Sequence, residues 1–377
     1  MASSIEIHPI TFPPEVLARI APDLSIQRHL SLGVRPCLRQ FEEFRNIEIS
    51  DGGLSRSTDL FHNSEENNIL GSNVLRSGKT IVITSITGGF VEELLPVHGI
   101  DEGEEELRNM TMQHDRISQF GAVYPVVEVE RGRMGAPTDE EMNLSQKIYN
   151  CILGSGVIPK SSLNVSVGRR TTNPDKSVSI TYPDEEGPEL DQQFLPKRKW
   201  SYVLYAKIQV FSRDGPLFEL CWNSLIYALK NTKLPRAFVD EKTTDLKIPV
   251  RVRGRSAAIR ETYDIICDSH KSIPLVLNSK NVGFASNFGV IDLDPEARLP
   301  EKEDEMQVDQ EDSILLADLQ GEAEESSVLS TLSIISDEKG NLKHLGIIGG
   351  GSKVTTETIR RSILLSSKRS EDLSTKN

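Results

Sequence analysis

The sequence predicts an α+β protein of two mixed units in which strands precede helices. At 377 residues the chain exceeds the usual size of one domain, so two compact units, or one large unit with insertions, are expected. Extended runs followed by helical runs recur in both halves, and one long helix is apolar on most faces, as a sandwiched helix must be. With 37% hydrophobic and 26% charged residues the composition is that of a globular chain able to bury a core.

Taken in order, Pro13 and Pro14 precede EVLARIAPDLSIQRHLSLG, a short amphipathic helix stopped by Gly33. NILGSNVLRSGKTIVITSITGGF reads as a β-hairpin about Ser77-Gly78-Lys79, with alternating polar and apolar residues from Thr80 to Ile86. The acidic stretch at about 98–117 lacks an apolar period and reads as a solvated insertion, after which AVYPVVEVER resumes as a strand. Thr138, Asp139 and two glutamates open a helix through MNLSQKIYNCILGSG, with carboxylates at its positive end and Gly154 at its stop. A polar loop at about 183–199 leads into a long strand, KWSYVLYAKIQVF, a turn at Asp214-Gly215, and the apolar helix, which ends near Asn231 and Pro235.

The second half offers strands at KIPVRVRG, SIPLVLNS and VGFASNFGVIDLD. An acidic run at about 297–313 follows, too charged to pack. The remainder reads as strands about an Asp-Glu-Lys-Gly turn, then a closing helix capped by Thr355 or Thr356.

Charge and motif content exclude several functions. A net charge of -13 opposes a freestanding nucleic-acid binder, because phosphates are held by clustered Lys and Arg. Cys37, Cys151, Cys221 and Cys267 lie far apart, without zinc spacing, and read as reduced thiols, three of them packed. The opening residues carry no basic region followed by an apolar run, and no apolar stretch approaches membrane-spanning length. The expectation is a protein of cytosol or nucleus with no membrane partner. GIIGGGSK, Gly346 to Lys353, suggests a phosphate loop, but Ser352 separates glycine from lysine, so a strand-to-helix turn is the expectation. The seven histidines are scattered, no nucleophile elbow occurs, and His29 and His344 read as surface or boundary residues.

Two features could carry binding. RVRGRSAAIR sets Arg251, Arg253 and Arg255 at strand spacing on one face, with Arg260 beyond, a group suited to phosphates or to a partner's carboxylates; its alternative is a solvated edge strand. Lys197, Arg198 and Lys199 form a weaker basic patch. Asp318, Glu322, Glu324 and Glu325 could in principle hold a divalent metal, although such clusters are usually solvated turns.

The order of GVRPCLRQFEEFR, GSNVLRSGKTIVITSI, DGPLFELCWNSLIYALKNTKLP, SIPLVLNS with GFASNFGVIDLD, and GGGSKVTTETI resembles that of the RNase PH-like subunits of the eukaryotic RNA exosome ring, from about Leu24 to Arg369. The resemblance implies the RNase PH-like fold (ribosomal protein S5 domain 2-like), as two stacked β-α units. The implied division is a 1–30 extension, a first unit over 31–240 and a second over 241–377.

Active members of that family cleave RNA from the 3' end with inorganic phosphate, which needs an anion site and metal-holding carboxylates. Their Arg-Pro-Asp-Gly-Arg stands here as Arg35-Pro36-Cys37-Leu38-Arg39, so the acid and the flexible glycine are replaced and an altered turn is expected. Their arginine-bearing phosphate segment aligns with Lys147-Ile148-Tyr149-Asn150-Cys151, without arginine. Their carboxylates align with Asp318, Glu324 and Glu325, the last position falling near Ser330.

By resemblance the chain is therefore expected to be a non-catalytic ring subunit without catalytic residues, bound metal or cofactor. The implied partners are other RNase PH-like subunits in a six-membered ring, S1/KH cap subunits, a hydrolytic nuclease and RNA, in nucleus, nucleolus and cytoplasm. The basic groups at 251–260 and 197–199 are the expected contacts to RNA or a neighbour. A phosphorolytic enzyme and an acidic protein adaptor are the competing readings.

Overall fold

A computed structural model describes residues 12–13, 16, 19–57, 67–93, 121–132, 135–172, 175–184, 199–240, 247–250, 258–261, 265–293 and 313–376. The proposed insertion at about 98–117, most of the loop at about 183–199 and nearly all of the acidic run at about 297–313 lie outside the described residues.

A five-stranded sheet comes first. It contains β1 (Ile47–Asp51), β2 (Gly71–Ser77), β3 (Thr80–Glu93), β4 (Val123–Val129) and β7 (Lys199–Phe211), in the order β1-β2-β3-β7-β4. The expected hairpin is present: Ser77 faces Thr80 across a turn in which Gly78 takes φ 59°. β4 runs parallel to β7 and the other pairs are antiparallel. Alternation along these strands buries Val82, Ile86, Leu204, Ile208 and Val210 on one face.

That face meets α3 (Phe218–Lys230), in which every residue from Phe218 to Leu229 is buried. The other side of α3 packs on β12 (Phe284–Asp292), and each polar group on the helix finds a partner as burial requires. Trp222 Nε1 donates to the Gly283 carbonyl at 2.9 Å. Asn223 donates to the Ala285 carbonyl at 3.1 Å and accepts from its N–H at 2.8 Å, while the Tyr227 hydroxyl donates to the Leu373 carbonyl at 2.7 Å. Beside α3 lies α2 (Asp139–Ser155), opened by a capping box in which Thr138 and Glu141 bond reciprocally. This helix stops at Gly156, not at the expected Gly154, because Gly156 is the residue in the left-handed conformation (φ 64°) that ends the turn.

The second sheet, β13 (Ser313–Ala317), β12, β14 (Ser330–Ser336) and β15 (Leu342–Gly349), is antiparallel in that order. α5 (Thr356–Thr375) covers one face through Ile359, Ile363 and Leu365, with Thr355 as its N-cap. The glycine run is the expected strand-to-helix turn: Gly349 (φ 125°) ends β15, and a side chain there would meet the Leu329 carbonyl at 2.2 Å. A third sheet joins β11 (Ile265–Pro274), β8 (Lys233–Asp240), β5 (Val167–Thr172) and β6 (Val178–Thr181), and β9 (Lys247–Val250) pairs with β10 (Ala258–Glu261).

Several expectations need correction. In the N-terminal stretch Val16, Arg19 and Ile20 are helical, the helix breaks at Ala21, and α1 (Pro22–Ser31) starts again at Pro22, whose fixed φ suits a first helical turn. α3 ends where expected, with Asn231 as its C-cap, but an unexpected strand, β8, follows with Pro235 inside it, where the register shifts between Cys267 and Ser272; the Pro235 carbonyl accepts from the Tyr202 hydroxyl at 2.7 Å. The strand expected at SIPLVLNS lies upstream and ends at Pro274, because Leu275 turns its N–H to Thr232 and its side chain to the core. A short helix, α4 (Gly321–Ser327), interrupts what reads in sequence as continuous strands. Two cysteines are packed, Cys151 and Cys221, whereas Cys267 is exposed.

Candidate functional site

The densest charge cluster forms where residues 35–45 cross the end of β13 and the start of α4. Arg35 is fully buried. Its Nε donates to Glu324 Oε1 at 2.9 Å, its Nη2 bonds Glu324 Oε2, and Nη1 and Nη2 donate to the carbonyls of Ala317 (2.7 Å) and Asp318 (3.1 Å). Arg45 makes a second fork, Nε to Asp318 Oδ2 at 2.8 Å and Nη2 to Oδ1 at 2.6 Å, and its backbone N–H donates to Oδ2 at 2.9 Å. Arg39 adds bonds to the Asp318 carbonyl (2.8 Å) and to Oδ2 (3.3 Å).

Around these forks, Gln320 donates its N–H to Glu324 Oε2 at 2.8 Å, and Asp214 accepts from the Gly321 N–H at 2.9 Å. Arg369 on α5 donates to the Arg45 carbonyl at 2.8 Å and lies 3.9 Å from Glu219. The geometry is that of planar guanidinium forks saturating carboxylates, the strongest class of protein hydrogen bond.

The electrostatics follow from burial and pairing. Burial pushes the Asp318 carboxyl up, but hydrogen bonds and charge attraction from Arg45, with Arg39, more than offset this and hold it below the usual range. Glu219 lacks such a fork. Burial, reinforced by repulsion from Asp318, pushes it up to about 7 despite Arg369.

Metal binding needs free carboxylate oxygens. Both oxygens of Asp318 and both of Glu324 already accept from cations, and among the described residues no group of three or more His, Cys, Asp and Glu is disposed to hold a metal. Glu325 turns outward to pair with Arg213, and Glu322 is exposed. Ser330 is buried elsewhere, where its Oγ accepts from the Ser352 N–H at 3.1 Å and anchors the glycine run.

At the turn, Leu38 takes a left-handed backbone (φ 63°) with its N–H on the Arg35 carbonyl at 2.9 Å. Anchors at Arg35 and Arg39 impose that conformation although it costs a non-glycine residue about 1–2 kcal/mol. Cys37 lies within 3.7 Å of Glu324 Oε1.

The aligned phosphate segment disperses. Lys147 donates to Ser333 Oγ at 2.7 Å and sits 4.1 Å above the Phe218 ring, and burial lowers its pKa. Ile148 is in the core, and Tyr149 stacks on Tyr124 at 5.7 Å. Arg251, Arg253, Arg255, Lys197 and Arg198 lie outside the described residues; Arg260 and Lys199 are described by backbone alone, in β10 and at the start of β7.

Sequence reasoning missed the partnership of Arg35, Arg39 and Arg45 with Asp318 and Glu324, and the roles of Asp214, Glu219 and Arg369. Three arginines within eleven residues of an acidic chain were a signal, but their partners lie more than 270 positions away.

Residues 43–235 match the model of the 3' exoribonuclease family, domain 1. The Exosome complex component rrp43 of Schizosaccharomyces pombe is 24% identical over 232 residues, 62% of this chain and 65% of that protein, so the match spans less than two thirds of the relative. Two solved structures share the fold. One is the Archaeoglobus fulgidus exosome with RNA bound to the active site (TM-score 0.53, 16% identity, covering 96% of this chain and 99% of that one). The other is an archaeal exosome core (TM-score 0.52, 15% identity, 96% and 98%).

Two predictions follow from the charge cluster. Arg35→Met leaves Glu324 buried without a counter-charge and should destabilise the chain by about 3–5 kcal/mol, whereas Arg35→Met with Glu324→Leu should recover most of the loss. Denaturant titration of the double-mutant cycle measures this, and additive losses would contradict it. Because the folded pKa of Glu219 exceeds its unfolded value, its stabilising contribution is complete below about pH 4 and lost as pH rises through about 7. Glu219→Gln should therefore gain stability relative to the parent between pH 5 and 8, read as a widening difference in Tm.

Proposed function

The chain belongs to the 3' exoribonuclease family of RNase PH-like proteins, and from that membership we propose that it is a non-catalytic ring subunit of an RNA exosome core. The observation that carries this reading is the occupation of Asp318 and Glu324, which align with the family's metal-binding carboxylates, by arginines of the chain itself. A carboxylate whose oxygens already accept from buried guanidinium groups offers a cation little open coordination and no net charge. The phosphate segment supports the same reading, with one half-buried lysine, engaged with Ser333, where active members carry arginine.

In this role the chain joins other RNase PH-like subunits in a six-membered ring that carries S1/KH caps and passes RNA to a separate hydrolytic nuclease. The motif order resembles that of fungal ribosomal RNA-processing protein 43, in keeping with the fission-yeast relative. The reading extends to ribosomal RNA maturation, messenger turnover and RNA surveillance, in nucleus, nucleolus and cytoplasm. Two units, 31–240 and 241–377, meet along α3. Arg251, Arg253, Arg255 and Arg260, with Lys197, Arg198 and Lys199, supply contacts to RNA or to a neighbour.

The test combines composition with chemistry. Native mass spectrometry of the complex purified from its own cells should give one copy of this chain with several distinct chains of similar size. The isolated chain should release no nucleoside diphosphate from RNA when phosphate is added. Phosphate-dependent release by the isolated chain, abolished in Asp318→Asn, would establish a phosphorolytic enzyme instead.

A further inference from the structure

The second half of β15, Leu345-Gly346-Ile347-Ile348, is apolar on both faces although the strand lies at a sheet edge. Neighbouring residues of a strand point to opposite faces. Ile347 pairs with Leu332 on the face that α5 covers, and Ile348 pairs with Thr331 on the other. They remain 48% and 60% exposed. A partner laid on one face of the sheet would cover one isoleucine and leave the other in water. Only a strand added along the edge covers both, and it also meets the backbone N–H and C=O groups that alternate residues of β15 turn away from β14.

Both edges of the five-stranded sheet and the other edge of the second sheet have backbone groups met by the chain itself. In β4, Pro125 has no N–H, the Val127 N–H donates to Ser145 Oγ at 3.0 Å, and the Val129 N–H donates to Glu141 Oε1 at 2.8 Å. In β13, the Ala317 N–H donates to the Phe41 carbonyl at 2.7 Å and its carbonyl accepts from Arg35. The Ile47 carbonyl of β1 accepts from Lys376 at 3.2 Å. Among the described residues no strand pairs with the outer side of β15. Its single lysine, Lys343, is drawn to the Lys280 carbonyl at 2.7 Å and to Asp337 at 3.6 Å, so it does not shield the edge as a free lysine would. The glycines after Ile348 return the chain toward α5 without placing a side chain beside the isoleucines.

We propose that β15 is an assembly edge, along which an extended apolar strand of a different protein chain pairs and continues the second sheet. A second copy of this chain fits less well. Antiparallel self-pairing centred on Ile347 and Ile348 would engage only Gly346 to Gly349, since the strand ends there, whereas a strand of another chain can run along all of β15. That the partner is a neighbouring ring subunit rests on the reading above; the open apolar edge does not.

The experiment uses the complex purified through this chain, with Ile347→Lys/Ile348→Lys compared against the parent and against Leu364→Lys, a leucine on α5 at least as exposed as either isoleucine. Thermal melting of each isolated chain establishes that the variants fold. The double variant should lose at least one stoichiometric partner, with binding at least tenfold weaker, while Leu364→Lys keeps the full complement. Hydrogen exchange should show outward-facing amides of residues 343–349 protected in the parent complex and fast in the free chain. A folded double variant that assembles normally, or amides equally fast in both states, overturns this proposal and leaves the ring reading standing. A parent chain that collects no partner overturns both, and a homodimer abolished by the double variant overturns the choice of a different chain.

Discussion

Two buried guanidinium forks, Arg35 on Glu324 and Arg45 on Asp318, tie the segment before β1 to the β13–α4 connection. Taking four charges out of water is expensive, and mutual attraction repays it only when every lone pair is met. Here Ala317, Asp318 and Asp214 lend carbonyls, while Gln320 and the Arg45 backbone lend N–H groups, so the geometry satisfies both sides. The consequence is directional. The forks fix where residues 35–45 cross the end of the second sheet and hold Leu38 in a left-handed turn.

The same forks connect fold to function. α3 is shared by the five-stranded sheet and β12, so the segment from Arg35 to Arg45 and the β13–α4 connection meet at one end of a common core. In an active RNase PH-like enzyme this end is where carboxylates face a metal and a phosphodiester, as the resemblance implies. Here α5 contributes Arg369 to the same end, and the local charge is balanced internally. The cluster holds the two halves of the fold together, which is the basis of the non-catalytic role proposed above.

Much of this was legible in the sequence because it is local. The β2–β3 hairpin follows from alternation about Gly78, α2 from its acidic first turn, α3 from its continuous apolar surface and α5 from Thr355. What escaped depends on distant partners. The strand through Pro235 is unseen until Ser272 pairs with it across an irregular register, and α4 is too short for a period. The left-handed Leu38 is invisible because the force that holds it comes from residues more than 270 positions away. The resemblance singles out Asp318 and Glu324 as aligned carboxylates, but no spacing rule reveals that Arg35 and Arg45 pair with them.

Titration of the folded chain with Mn²⁺, following the free ion by electron paramagnetic resonance, decides whether these carboxylates serve the fold or a metal. If they serve the fold, no saturable site is removed by Asp318→Asn or Glu324→Gln in variants that remain folded. A stoichiometric Mn²⁺ site lost in either folded variant would contradict that role.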